Sequence, residues 1–131
     1  MSKCLSYENR RFVKGPLLIH LTPDLLEATY NLLKATRPFR AWRLPDSDDV
    51  SFIVSRQKDR YGDHRFEGLH KLRISAANVG CLDTLTKVMA HEMCHMRDRM
   101  LGTRDTVEHG ASFRQLAAQV CQHHCFDPRA F

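Results

Sequence analysis

His91-Glu92-Met93-Cys94-His95 is the stretch whose reading decides the fold. On an α-helix, residues four apart share one face, so both imidazoles can reach a single metal ion. Glu92 follows His91 directly and leans beside that site. Two neutral nitrogen ligands, with a carboxylate next to a metal-bound water, form the donor set of a zinc hydrolase. The pattern is short, and a helix that carries two surface histidines also satisfies it. The surrounding sequence has to discriminate.

The spacing predicts a helix from about Asp83 to Leu101, capped by Asp83 or Thr84 and stopped by Gly102. At about 100° per residue, Met89, Met93, Met96 and Met100 gather on one side, roughly opposite His91 and His95. Flexible thioethers fill cores well, so the methionine side faces inward while the other side presents ligands. Cys94 reads as a small buried residue rather than a ligand. Gly102 to Thr106 form a loop, and Glu108-His109-Gly110 leads into a further helix started by Gly110 or Ser112. Its apolar positions are Phe113, Leu116, Ala117, Val120 and Cys121. A catalytic zinc site takes three protein ligands and leaves one position open. His109 is the strongest candidate for the third, with Glu108 as its rival. Asp98 and Asp105 are candidates to orient the histidines from behind.

Upstream, residues 1–15 form a polar, basic arm (Arg10, Arg11, Lys14) ahead of one domain over 16–131. Thr22, Pro23 and Asp24 are helix-start residues, and Leu25, Leu26, Thr29, Leu32 and Leu33 make an apolar stripe that Pro38 closes. Between Phe39 and Val79 the periodicity moves towards two. Phe39–Leu44 alternates, Val50–Val54 is strand-like, Tyr61-Gly62-Asp63 has turn chemistry, and a return strand spans about Phe66 to Ile74. The expected fold is α+β: a small, mainly antiparallel three-stranded sheet packed on the HExxH helix, with flanking helices.

Composition limits the alternatives. A chain of 131 residues supports one core. No apolar run has membrane-spanning length, the first residues lack a signal-peptide pattern, and the five cysteines suggest no disulfide framework. The expectation is a cytoplasmic monomer (nuclear in a eukaryote) with no membrane partner. The net charge of +5 favours acidic partners, DNA among them. His123, His124 and Cys125 cluster, but histidines at a helix C-terminus already gain from the dipole, which weighs against a second metal. Nothing around Cys4 supports a zinc-masking thiolate.

Leu85-Thr86-Lys87-Val88-Met89-Ala90-His91-Glu92-Met93-Cys94-His95, followed by His109-Gly110-Ala111-Ser112-Phe113, resembles the SprT-like metallopeptidases that include Spartan. The His-Gly-x-x-Phe element is the more discriminating part, and Leu72-Arg73-Ile74-Ser75 is similar to the family's segment ahead of the active helix. The resemblance covers about residues 20–124. It implies a zincin-like fold, zinc held by His91, His95 and His109, and Glu92 as general base. It also implies protein substrates, including proteins bound or crosslinked to DNA. Many relatives carry a C-terminal four-cysteine zinc ribbon; here Cys121 and Cys125 are a single pair and no ribbon precedes Phe131. Two other readings stand beside the peptidase: an inactive zinc-stabilised nucleic-acid-binding or adaptor module, and a metallo-hydrolase with a non-protein substrate. The intact Glu92 argues against the adaptor, because a structural zinc site has no need of that carboxylate.

Overall fold

A computed structural model describes residues 18–102 and 108–131. The N-terminal arm, Asp105 and Cys4 lie outside the described residues. Helix α1 spans Pro23–Lys34, strands β1, β2 and β3 span Val50–Ser55, Gly62–Phe66 and His70–Ser75, and helices α2 and α3 span Leu82–Met100 and Ala111–His124. Short 3-10 turns occupy Phe39–Ala41, Ser47–Asp49 and Pro128–Ala130. The architecture is a small α+β unit in which α2 packs against the sheet and both other helices, while α1 also packs on β1.

Helix α1 starts as its residues dictate: the Thr22 hydroxyl accepts a hydrogen bond from the Leu25 amide at 3.1 Å, and Pro23 opens the first turn. Its buried face is Leu26, Thr29, Tyr30 and Leu33. Leu32, placed by periodicity on the apolar stripe, is instead exposed, and Tyr30 takes its place in the core. The Tyr30 hydroxyl escapes the cost of burial by donating to the Pro45 carbonyl at 2.6 Å.

The sheet has the order β1-β3-β2 and is mixed. β2 and β3 pair antiparallel, with Asp63 opposite Arg73, whereas β1 and β3 pair parallel, with Val50 opposite His70. "Mainly antiparallel" is therefore corrected to one ladder of each kind. The reason lies in two misread segments. Phe39 and Trp42 are both buried, three residues apart, and meet edge to face at 5.0 Å, so that segment coils into a 3-10 turn instead of a strand. Gly62 and Asp63 open strand β2 rather than forming a turn. A Cβ at Gly62 would lie 2.8 Å from the Arg73 carbonyl and 3.1 Å from Val88, so glycine lets this strand press against both β3 and α2. The Asn78 amide ties down the preceding loop by donating to the Arg60 carbonyl at 2.7 Å.

Helix α2 begins at Leu82, one residue earlier than expected. Cys81 is its N-cap, without a side-chain bond, and Asp83 sits in the first turn, paired with Lys87 at 3.1 Å. Gly102 follows its end with a φ of 68°. Met89, Met93 and Met96 are fully buried with Leu85, Ala90 and Cys94, while Met100 reaches the surface. The predicted core face is present over three of its four methionines. Among the described residues, no helix is long and apolar enough to cross a membrane, and Cys81, Cys94, Cys121 and Cys125 are free thiols.

Candidate metal centre

Helical spacing sets His91 and His95 one turn apart on the same face of α2, with ring centroids 5.0 Å apart. His109 arrives just ahead of α3. Its Nε2 lies 3.2 Å from Nε2 of His91 and 3.2 Å from Nε2 of His95. One ligand atom from each of the three lies within 4.8 Å of the others. Three acceptor-capable nitrogens crowding one point cannot all hydrogen-bond to one another, because a neutral imidazole has a single N–H. A shared cation does satisfy them. Nitrogens about 2.0–2.1 Å from a tetrahedral zinc stand roughly 3.3 Å apart, close to the separations found here. The donor set fits zinc: neutral imidazoles alone, with no thiolate to close the site.

Burial keeps two of these rings neutral. It pushes His91 down to about 4, with the neighbouring His109 adding to the effect and the Phe131 backbone partly opposing it. It pushes His95 to about 3, helped by His91, His109 and His64. Neutral imidazole is the metal-binding form. Phe113, on the first turn of α3, packs its ring on all three histidines, at 5.0, 4.3 and 4.7 Å from His91, His95 and His109. The Arg114 guanidinium donates to the His109 carbonyl at 2.8 Å, fixing the backbone that presents that ring.

Asp98 was a candidate to orient a histidine. Its recorded partner is the Ser112 hydroxyl, which donates to it at 2.6 Å. Asp98 thus joins α2 to the start of α3, where a negative charge also suits the helix dipole. It fixes how the two ligand-bearing segments meet. Glu108, the rival ligand, is exposed and lines the cleft but lies outside the three-residue cluster.

The three histidines open into a cleft of about 840 Å³ shared with Glu92, Asp63, His64, Tyr61 and Phe131. Glu92 is only 5 % exposed, and the described residues make no hydrogen bond to its carboxylate. Burial, reinforced by Asp63 and Glu108 and opposed by Arg60, raises its pKa to about 8. Sequence reasoning missed Phe131, which the 3-10 turn at Pro128–Ala130 returns to within 5.3 Å of the His91 ring. Nor did it foresee that His64 and His70 would touch, with Nε2 of the first 2.8 Å from Nδ1 of the second. A strand across Gly62–Phe66 would have been the signal for the His64–His70 contact. At the far end of α3, His124 bonds the Thr36 hydroxyl at 3.0 Å and packs near Phe39.

Comparison with known proteins agrees with this geometry. The model of the SprT-like family matches residues 26–129, spanning all three helices, the sheet and the histidine cluster. The chain belongs to the SprT-like family. No curated protein matches it. The family match points towards a zincin-like metallopeptidase, and the three histidines of the cluster could hold a metal ion.

Proposed function

We propose that this SprT-like domain is a zinc-dependent endopeptidase with His91, His95 and His109 as ligands and Glu92 as general base. The observation that carries the proposal is Glu92: a buried carboxylate, free of hydrogen bonds from the described residues, facing the cleft into which the three Nε2 atoms converge. A purely structural metal site gains nothing from burying such a group, which costs several kcal/mol of desolvation at the order-of-magnitude level. When bound, zinc supplies a lowered water pKa and polarises the scissile carbonyl. Burial raises the Glu92 pKa to about 8 with no metal ion beside it; the charge of a bound zinc would favour the carboxylate, the form that accepts a proton and passes it to the leaving amine.

Substrate is positioned by the sheet. β2 is an edge strand whose residues Gly62, Asp63 and His64 line the cleft, so an extended peptide can add alongside it and present a carbonyl to the site. The other edge strand, β1, contributes none of its residues to the cleft lining. The bidentate Arg73–Asp63 pair, with contacts of 2.9 and 2.6 Å, stiffens that edge from β3. DNA-associated proteins are the proposed substrate class, supported by family membership and the net charge of +5.

The test is Glu92→Gln, assayed for cleavage of a protein crosslinked to DNA and of the same protein free, alongside zinc content. The expected outcome is loss of cleavage with zinc retained. Equal cleavage by wild type and variant would remove Glu92 as the base. A wild type that binds zinc and DNA but cleaves neither substrate would favour the adaptor reading. Binding to DNA through Lys and Arg is expected to weaken steeply with salt.

A further inference from the structure

His64 is a polar side chain of the cleft that the chemistry above leaves without a task. It sits on edge strand β2 and lines the same cleft as His91, Glu92 and His95. Its Nε2 is held 2.8 Å from Nδ1 of the buried His70, with the two rings stacked at 5.0 Å and 25°. That leaves Nδ1 as the one polar atom of His64 with no hydrogen bond among the described residues.

Two nitrogens 2.8 Å apart share one proton, since N–H groups on both would collide. Burial, then His70 and Arg99, push His64 down to about 4, and burial and Arg99 lower His70, so both rings are neutral at pH 7. Two arrangements remain. Either His64 donates from Nε2 and its Nδ1 is a bare acceptor, or His70 donates from Nδ1 and His64 keeps its proton on Nδ1. Only the second leaves His64 an N–H to offer a substrate carbonyl. The Arg99 guanidinium lies over the Phe66 ring at 4.9 Å and Phe66 packs on His70 at 4.7 Å, so a cation stands near the pair and disfavours a further proton on it.

We propose that His64 donates a hydrogen bond from Nδ1–H to the carbonyl oxygen of the bound peptide, with His70 as the positioning residue that fixes its tautomer. The inference rests on the peptidase reading and assigns its second electrophile. A neutral imidazole that resists protonation is suited to stabilise an oxyanion by donation without becoming an acid. His64 lines the cleft from the edge strand along which such a peptide would lie.

Two measurements test this without requiring turnover. Long-range 1H–15N correlation at pH 7 should show His64 protonated on Nδ1 and His70 on Nδ1; a proton on Nε2 of His64 overturns the assignment. The second is calorimetric titration of zinc-loaded protein with a capped phosphinic Ala–Ala analogue, whose tetrahedral oxygens mimic the reacting carbonyl. His64→Gln and His64→Ala should bind it 10²–10³-fold more weakly than wild type, with zinc content unchanged. His64→Asn should recover at least tenfold, because an asparagine amide sits at the distance of Nδ1 from Cβ and a glutamine amide at that of Nε2. For cleavage, the same series should lose kcat with little change in KM. Equal affinity across the His64 series overturns the donor role and leaves the peptidase reading standing. Failure of wild type to bind the phosphinate overturns both, whereas equal cleavage by wild type and Glu92→Gln, with the His64 series behaving as expected, overturns only the assigned base.

Discussion

Two groups of histidines border one cleft, and they are built differently. His91, His95 and His109 come from α2 and the lead-in to α3, with Nε2 of His109 3.2 Å from Nε2 of each of the other two. His64 and His70 come from neighbouring strands and meet through a single contact of 2.8 Å. The shorter separation suits one shared proton, and the longer ones suit nitrogens gathered around one cation. Burial keeps His91, His95, His64 and His70 neutral, so charge state does not separate the groups. Number and spacing do. Three converging acceptors could hold a metal, whereas two can satisfy each other.

The sharpest way to break this contrast is to remove one member of each group. His95→Ala should take zinc from about one per chain to near zero and lower cleavage by roughly 10³-fold or more, measured by elemental analysis and a protein-cleavage assay. His70→Ala should keep its zinc. If both variants lose zinc equally, the strand pair belongs to the metal site after all. Next in size is Phe113→Ala, which removes a buried ring packed on all three ligands. The expected cost is about 3–5 kcal/mol in urea unfolding, together with weaker zinc retention against a chelator. Ser112→Ala should cost less, about 1–3 kcal/mol, because it leaves the Asp98 carboxylate without its donor. An unchanged stability would show that water replaces the hydroxyl.

A further effect concerns pH. His64 holds its folded-state pKa near 4, while an unfolded chain has His near 6.5. As pH falls below about 6.5 the unfolded chain takes up a proton that the folded one refuses, so stability declines down to about pH 4. Above 6.5 this contribution is flat. In the presence of a chelator, melting temperature should therefore fall less steeply over this window in His64→Asn than in wild type. Parallel slopes would mean that His64 titrates normally in the folded protein.

How much of this was readable beforehand differs between the two groups for a physical reason. The metal-site histidines are encoded locally. A four-residue spacing on a helix fixes two of them, and His-Gly-x-x-Phe supplies the third together with the Phe113 ring that packs on it. The α1 cap at Thr22 and the methionine core of α2 are local in the same sense. The strand pair depends on β2, whose sequence Gly-Asp-His-Arg-Phe has a turn-like start and little apolar alternation. Its stability comes from elsewhere: the ladder to β3, the Arg73–Asp63 pair and the close approach to Val88 that Gly62 allows. Parallel pairing of β1 with β3 is likewise a long-range outcome that neither strand announces. The Asp98–Ser112 bond joins residues on separate helices, so carboxylate chemistry alone pointed it at the wrong partner.

The construction of α2 constrains how such a protein can diversify. Met89, Met93 and Met96 lock one side of this rod into the core, while His91 and His95 project from the other. Turning or sliding the helix to retune the site would unpack the interior, so drift in that element is penalised twice. The neighbours of the site are under no such double constraint. The β2 edge and the segment carrying Phe131 border the cleft without forming the centre of the core, and altered substrate preference in related sequences is expected to accumulate there while α2 stays fixed.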